Sequence, residues 1–204
     1  MSKKHIHNHI NLTIKGKYCK YDDLPEWFQE AKTENAVVSV DSDQFMVWYN
    51  GIWKDGTWEN GTWENGLWKQ GIWKRGDWID GSWYNGIWMG GVWICGWWLN
   101  GTWKDGIWKD GHWHNGVWHN GTWKNGYWHN GTWKNGIWEH GDWMGGTWCV
   151  GAWESGAWWD GWWLNGTWKA GLWDNGIWIN GLYENKKCIG LDMYNKPIFD
   201  LNHG

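Results

Sequence analysis

Histidine offers this sequence its best chance of chemistry. His5, His7 and His9 alternate along one stretch, a spacing that puts imidazoles on one strand face, where they could chelate a metal, but the favoured reading is a solvated N-terminal strand. His112, His114, His119, His129 and His140 cluster further on. His114, His119 and His129 fill a slot that Lys or Glu fills elsewhere, so they read as surface variation, and no metal site is expected. Asp and Glu are scattered, with no acid/base pair of defined spacing. No Ser or Cys has an assignable His companion, and no glycine stretch resembles a phosphate loop. Cys19, Cys95, Cys149 and Cys188 share no close spacing, so neither a zinc knuckle nor a redox motif is present. The expectation is a non-enzymatic protein without catalytic residues, metal or cofactor.

The elements that carry these residues are unusual. Gly stands at every fifth position from Gly51 to Gly181, 27 in a row, and Trp at every fifth position from Trp48 to Trp178, also 27. Tyr183 takes the next Trp slot. Such a fixed short period signals a solenoid or an array. A helix cannot hold it, because each Gly would cost about 1 kcal/mol relative to Ala. Each unit reads as a short strand, x-Trp-x, followed by a turn. Asn or Asp precedes Gly at 17 of the 26 slots from Asp55 to Asn180, a strong turn signal. Gln70, Arg75, Gly90, Cys95 and Val150 break that rule while Gly never does, so the requirement lies in Gly's backbone or in the space that it leaves.

Two architectures fit. In a coil with four five-residue sides per turn, every side points Trp inward, with Gly as the small inward neighbour. Roughly seven turns then make a rod of about 33 Å at the ~4.8 Å sheet spacing. A flat meander of about 27 strands would instead run to about 130 Å and leave a Trp stripe uncovered. The coil is favoured. From Ile52 to Val92 the slot before Trp runs apolar-polar-polar-apolar with a 20-residue period, as four sides would give. From Thr102 to Asp142 that pattern becomes simple alternation.

The array resembles the pentapeptide-repeat family, whose members form right-handed four-sided β-solenoids. Trp53, Trp58 and their successors match the family's central inward position, and Gly51, Gly56 and theirs its small inward position. One departure bears on the corners: the family's Asn/Asp lies just before the central residue, and here it lies two after. Arrays of this kind are associated with phage and bacterial proteins. The fold class expected is therefore all-β, a right-handed four-sided β-solenoid over residues 48–185.

Residues 1–47 are not repetitive and read as a small ββαβ cap. Ile6, Ile10, Leu12 and Ile14 mark a strand, Lys15 to Lys17 a turn and Tyr18 to Tyr21 a return strand. Asp22-Asp23-Leu24-Pro25-Glu26 marks a helix start, with Asp as the cap. Trp27, Phe28 and Ala31 form its apolar face, and Val37 to Val47 lead into the array. Residues 186–204 leave the register and read as a short β cap. Caps are needed because open solenoid ends expose core and strand edge.

Net charge is −4, all of it from the array, where 9 Lys/Arg and 13 Asp/Glu are interspersed. That lacks the basic footprint of a nucleic-acid binder and the dense negative charge of a DNA mimic. No membrane span and no signal peptide is read, which points to a cytoplasmic protein.

Two apolar segments stand out on the outer positions. The first holds Ile79, Tyr84, Met89, Ile94, Trp97 and Leu99; the second holds Met144, Cys149, Val150, Ala157, Trp159, Trp162 and Leu164. Gly96 to Lys104 recurs identically at Gly161 to Lys169, a shift of 13 units that reads as duplication history. Trp97, Trp159 and Trp162 are the Trp residues expected outside. The leading function is a structural or protein-binding solenoid that uses outer faces for a partner or for self-association, with Ile79, Tyr84, Met89, Ile94, Trp97, Leu99, Met144, Trp159, Trp162 and Leu164 as the candidate surface. Two alternatives stay open: a glycan-binding module using exposed Trp, and a phage virion or tail component. Topoisomerase inhibition by duplex mimicry, which the family resemblance suggests, fits the weak charge less well.

Overall fold

The fold is described from a computed structural model, for residues 8–16, 20–43, 45–183, 186–191 and 197–199. The array is a parallel β-solenoid. The first two units share the ten-residue strand Met46–Asp55, and from Trp58 on each five-residue unit contributes a strand of two or three residues that contains the x-Trp dipeptide. Every such strand pairs in parallel with the strand 15 residues away: Ser82 lies beside Trp97 and Trp83 beside Trp98, and Ile87 lies beside Thr102. Three units therefore make one turn, and 27 in-register Trp make nine turns. At the ~4.8 Å sheet spacing the rod is about 43 Å long.

The all-β solenoid is as expected, but its cross-section is three-sided, not four-sided. The reason lies at the corners. Gly131 has φ +122°, and the other corner glycines fall between +104° and +141°. Only Gly takes that conformation without strain. A triangle turns more sharply at each corner than a square, and this is the backbone that turns it. The spacing also corrects the role expected of Gly. It does not chiefly make room for Trp inside the coil. A Cβ on Gly131 would stand 2.5 Å from the Gly116 carbonyl oxygen one turn below, and 3.3 Å from the Trp113 indole nitrogen. Glycine stacks on glycine along each corner.

The three sides carry three columns of Trp. The first side begins at Trp48, the second at Trp53 and the third at Trp58, and each column then recurs every 15 residues. Every in-register Trp from Trp48 to Trp163 has 0% exposure. Within a column the indoles stack, as Trp103 on Trp118 at 4.7 Å and 6°. Between columns they meet edge to face, as Trp113 and Trp118 at 6.0 Å and 75°. Both are favoured arrangements for aromatic quadrupoles, each worth about 0.5–1.5 kcal/mol beyond area burial. Three columns so joined close on one another and fill the interior.

Two backbone hydrogen bonds per unit tie each turn to the one below. Thr102 N–H donates to the Gly86 carbonyl at 2.9 Å, and Lys104 N–H to the Trp88 carbonyl at 2.8 Å. At the corner, the residue before Gly supplies a local acceptor: the Asp80 carboxylate accepts from Gly81 N–H at 2.7 Å, and the Asn65 side-chain oxygen accepts from Gly66 N–H at 2.6 Å. This explains the preference for Asn and Asp in that slot, since an unmet amide is costly. The indole N–H groups fare differently. Trp48, Trp148 and Trp153 donate to the carbonyls of Asn65, Asn165 and Ala170 at 3.1 Å. From Trp53 to Trp143 the in-register indole nitrogens are buried without a partner in hydrogen-bond geometry. Stacking and burial offset that cost.

At the N-terminal end, β1 (His9–Ile10) and β2 (Thr13–Ile14) run parallel to β3 (Lys32–Val40), which is antiparallel to β4 (Met46–Asp55). The short helix α1 (Glu26–Glu30) lays Phe28 and Trp27 over the first Trp residues, with Trp27 5.1 Å from Trp58. Phe28 and Ala31 are buried as expected. Asp does not cap α1: Pro25 holds that position, and Asp23 accepts from Lys20 N–H at 2.7 Å instead. Tyr21 lies in a 3-10 turn (Tyr21–Asp23), not in a return strand, while Lys17, Tyr18 and Cys19 of that expected hairpin lie outside the described residues. At the far end, Lys186–Leu191 pairs antiparallel with Leu182–Tyr183 and with Pro197–Phe199. No helix among the described residues is long and apolar enough to cross a membrane.

Candidate interaction face

A turn of 15 residues redistributes the outer side chains. Along the second side, the slot before Trp reads Ser82, Trp97, His112, Tyr127, Asp142, Ala157 and Leu172 in successive turns. The slot after Trp reads Tyr84, Leu99, His114, His129, Met144, Trp159 and Asp174. These two rows flank the buried Trp column and face outward.

The rings on this side stack. Trp97 lies 4.3 Å from His112 at 8°, and His112 lies 4.9 Å from Tyr127 at 11°. In the neighbouring row His114 stacks on His129 at 4.7 Å. The two rows also touch, with His112 Nδ1 3.3 Å from His129 Nε2. Trp97, Tyr127 and Trp159 remain 48%, 43% and 41% exposed. Stacking covers one face of Trp97 and turns its ring edge outward.

Of the ten candidate surface residues, this side gathers Tyr84, Trp97, Leu99, Met144 and Trp159. Ile79 and Ile94 fall on the first side, and Met89, Trp162 and Leu164 on the third. The two apolar segments are therefore not two patches. Parts of both meet on one face, with Tyr127, His112, His114 and His129 between them. By sequence His114 and His129 read as surface variation, and His112 has no role assigned. The signal that finds them is a step of 15: 97, 112, 127 in one row and 99, 114, 129, 144, 159 in the other. The two copies of the duplicated stretch fall one side apart, with Trp98 on the second side and Trp163 on the third.

The remaining histidines are elsewhere. His119 lies on the third side next to Lys104, 3.3 Å from its Nζ. His140 is at a corner, 3.1 Å from Ser155 Oγ. His9 is buried in the cap, stacked on Phe28 at 4.7 Å with Nδ1 2.8 Å from Thr33 Oγ1; His5 and His7 lie outside the described residues. Among the described residues no group of three or more His, Cys, Asp or Glu is placed to hold a metal ion.

Burial holds His112 and His129 below the ordinary imidazole range, and neighbouring histidines add to it: His114 lowers both, and His112 also lowers His129. His9 is lowered by burial, and His119 by burial and then by Lys104 and Lys134. A depressed imidazole binds fewer protons folded than unfolded. Its stabilising effect is therefore present above pH 6.5 and is lost as the pH falls from there through the folded pKa. Imidazole resonances followed by NMR should titrate below 6.5 for His112 and His129, and thermal stability should decline from pH 7 to pH 5. Ordinary midpoints for both residues would contradict the stacked arrangement.

No known protein family, curated protein or solved structure matches this chain. Its relation to pentapeptide-repeat proteins is one of architecture: a Trp every five residues in a repeating β-solenoid.

Proposed function

We propose that this chain is a non-enzymatic binding scaffold whose second side docks a protein surface. The β-solenoid suits a structural or binding role: it is a stiff rod with long flat sides. The observation that carries the reading is the composition of one side. From Ser82 to Trp159 its outward rows hold two Trp, two Tyr, Leu and Met, with no Lys or Arg and a single carboxylate, Asp142. The other sides are laced with charge, including the pairs Lys169–Glu154 on the first and Lys74–Glu59 on the third. Enrichment in Trp, Tyr and Met with depletion of charge is the composition of an interface centre.

A glycan platform is the weaker reading. Sugars stack on exposed ring faces, and one face of Trp97 is taken by His112. Trp97 and Trp159 also stand in different rows four turns apart, about 19 Å, and so do not form a continuous row. The five-residue Gly-x-Trp-x-Asn/Asp array further supports kinship with pentapeptide-repeat proteins, and through that resemblance a phage or cytoplasmic setting.

Photo-crosslinking in the producing cell tests the reading. A photoreactive residue at Tyr127 should form protein adducts, and one at Lys109 on the first side should form few. Adding Trp97→Lys should leave the fold intact and remove most adducts at position 127. Equal labelling at both positions, or none at 127, would overturn it.

A further inference from the structure

We infer that the partner of the second side is a second copy of this chain, lying antiparallel. The inference rests on the binding role proposed above and names its occupant. Two flat sides facing each other about a two-fold axis that crosses the rod keep each row opposite itself and reverse its order. If that axis passes the turn of Tyr127 and His129, the residues meet in a definite pattern. Trp97 faces the partner's Ala157, and Leu99 faces the partner's Trp159. His114 faces the partner's Met144, and His112 faces the partner's Asp142. Large side chains meet small or flat ones, and Asp142 meets an imidazole. In the outermost turns Ser82 faces the partner's Leu172, and the Tyr84 hydroxyl, a hydrogen-bond donor, faces the partner's Asp174.

Other alignments lose this match. Moving the axis by half a turn sets Asp142 against the partner's Trp97 or the partner's Tyr127. Moving it by one turn toward the C-terminus sets Asp142 against its own copy. A parallel pair, with the axis along the rod, sets Asp142 against the partner's Met144. Each of these takes Asp142 away from the imidazole that can bear the opposite charge, and the one-turn shift sets it against a like charge. The pattern is self-complementary, as an isologous two-fold interface must be.

The area is adequate and small. Seven turns at ~4.8 Å and a side about 12 Å wide give roughly 400 Å² of flat surface per copy, and near 1,000 Å² in total once side-chain relief is included. That is the lower limit for a specific interface, so the dimer should be concentration-dependent, with a dissociation constant in the micromolar range on the order of that of weak complexes.

Sedimentation velocity on the purified full chain tests this. A monomer–dimer equilibrium is expected. Tyr127→Lys, which places two like charges at the axis, and His112→Glu, which sets Glu against the partner's Asp142, should each weaken the dimer at least tenfold. The double variant His112→Glu/Asp142→Lys should restore it, because the pair is then reversed. Circular dichroism establishes that each variant is folded, and the exposed positions favour that. A chain that stays monomeric at high concentration overturns the inference. So does a dimer indifferent to both single variants, or one that the double variant fails to restore. If the purified chain is monomeric while position 127 still crosslinks in the cell to a different protein, the self-pairing fails and the binding role stands.

Discussion

Gly131→Ala is expected to destabilise the rod by about 3–5 kcal/mol, while Gly145→Ala, at a corner of the same coil, changes it by less than about 1 kcal/mol. Gly131 has φ +122°, where an L-residue is strained whatever the space around it. Its new Cβ would also meet the Gly116 carbonyl oxygen at 2.5 Å, a backbone atom that cannot yield. Strain of roughly 1–3 kcal/mol and a steric term of similar size both apply. Gly145 fills the Asn/Asp slot instead. It lacks the positive φ, and its Cβ would meet only the His129 carbonyl oxygen at 3.6 Å. Gly90 is the same, with its nearest atoms at 3.8 and 3.9 Å. For a chain of this size, about 3–5 kcal/mol corresponds to a fall in melting temperature on the order of 10 °C. Thermal unfolding of the two variants, run side by side, makes the comparison. Equal behaviour would mean that neither the positive φ nor the close contact with the turn below constrains the corner.

The second large effect is expected inside. Trp118→Ala removes an indole of 0% exposure that stacks between Trp103 and Trp133, at 4.7 and 4.8 Å, and meets Trp113 and Trp123 edge to face. Large-to-small changes of this kind cost about 3–5 kcal/mol, and the four neighbouring rings, held at both ends by their own columns, collapse poorly into the space. Trp118→Phe should cost much less. It keeps an aromatic ring in the column, and it deletes an indole N–H that is buried without a partner. Trp97→Ala, on the outer surface, should fall within roughly ±1 kcal/mol. Urea unfolding of the three variants gives the order. If Trp118→Ala were as mild as Trp97→Ala, the columns would not be the core.

Much of this was legible in the residues. A Trp every five positions with no insertion, and Gly without exception, favour a regular coil with Trp inside over a flat meander. The same register placed Trp97, Trp159 and Trp162 outside, where they are. The number of sides was not legible from polarity. The 20-residue pattern in the slot before Trp is accidental, because that slot faces outward on every side. Ile72, Ile87 and Ile107 there are each 37% exposed, so polarity in it is weakly constrained. The informative sign was the position of Asn/Asp two residues after the central Trp, a corner unlike that of the four-sided family. The interaction face stayed hidden for the same reason. With four sides, Trp97, His112 and Tyr127 have no common face; with three, they form one stack. His9 is not on a solvated strand, as alternation alone suggests, because Phe28 and Tyr21 enclose it.

Thiol bridging tests the three-sided turn most directly. Cys95 sits at a corner, with Asp110 in the same corner one turn on and Asn115 at the next corner round. With Cys19, Cys149 and Cys188 changed to Ser, a short reagent that fluoresces only when it bridges two thiols is applied to two variants. A 15-residue turn predicts that Asp110→Cys is bridged to Cys95 and Asn115→Cys is not. Bridging in Asn115→Cys and not in Asp110→Cys would mean a 20-residue turn, and would break up the second side on which the binding face is built.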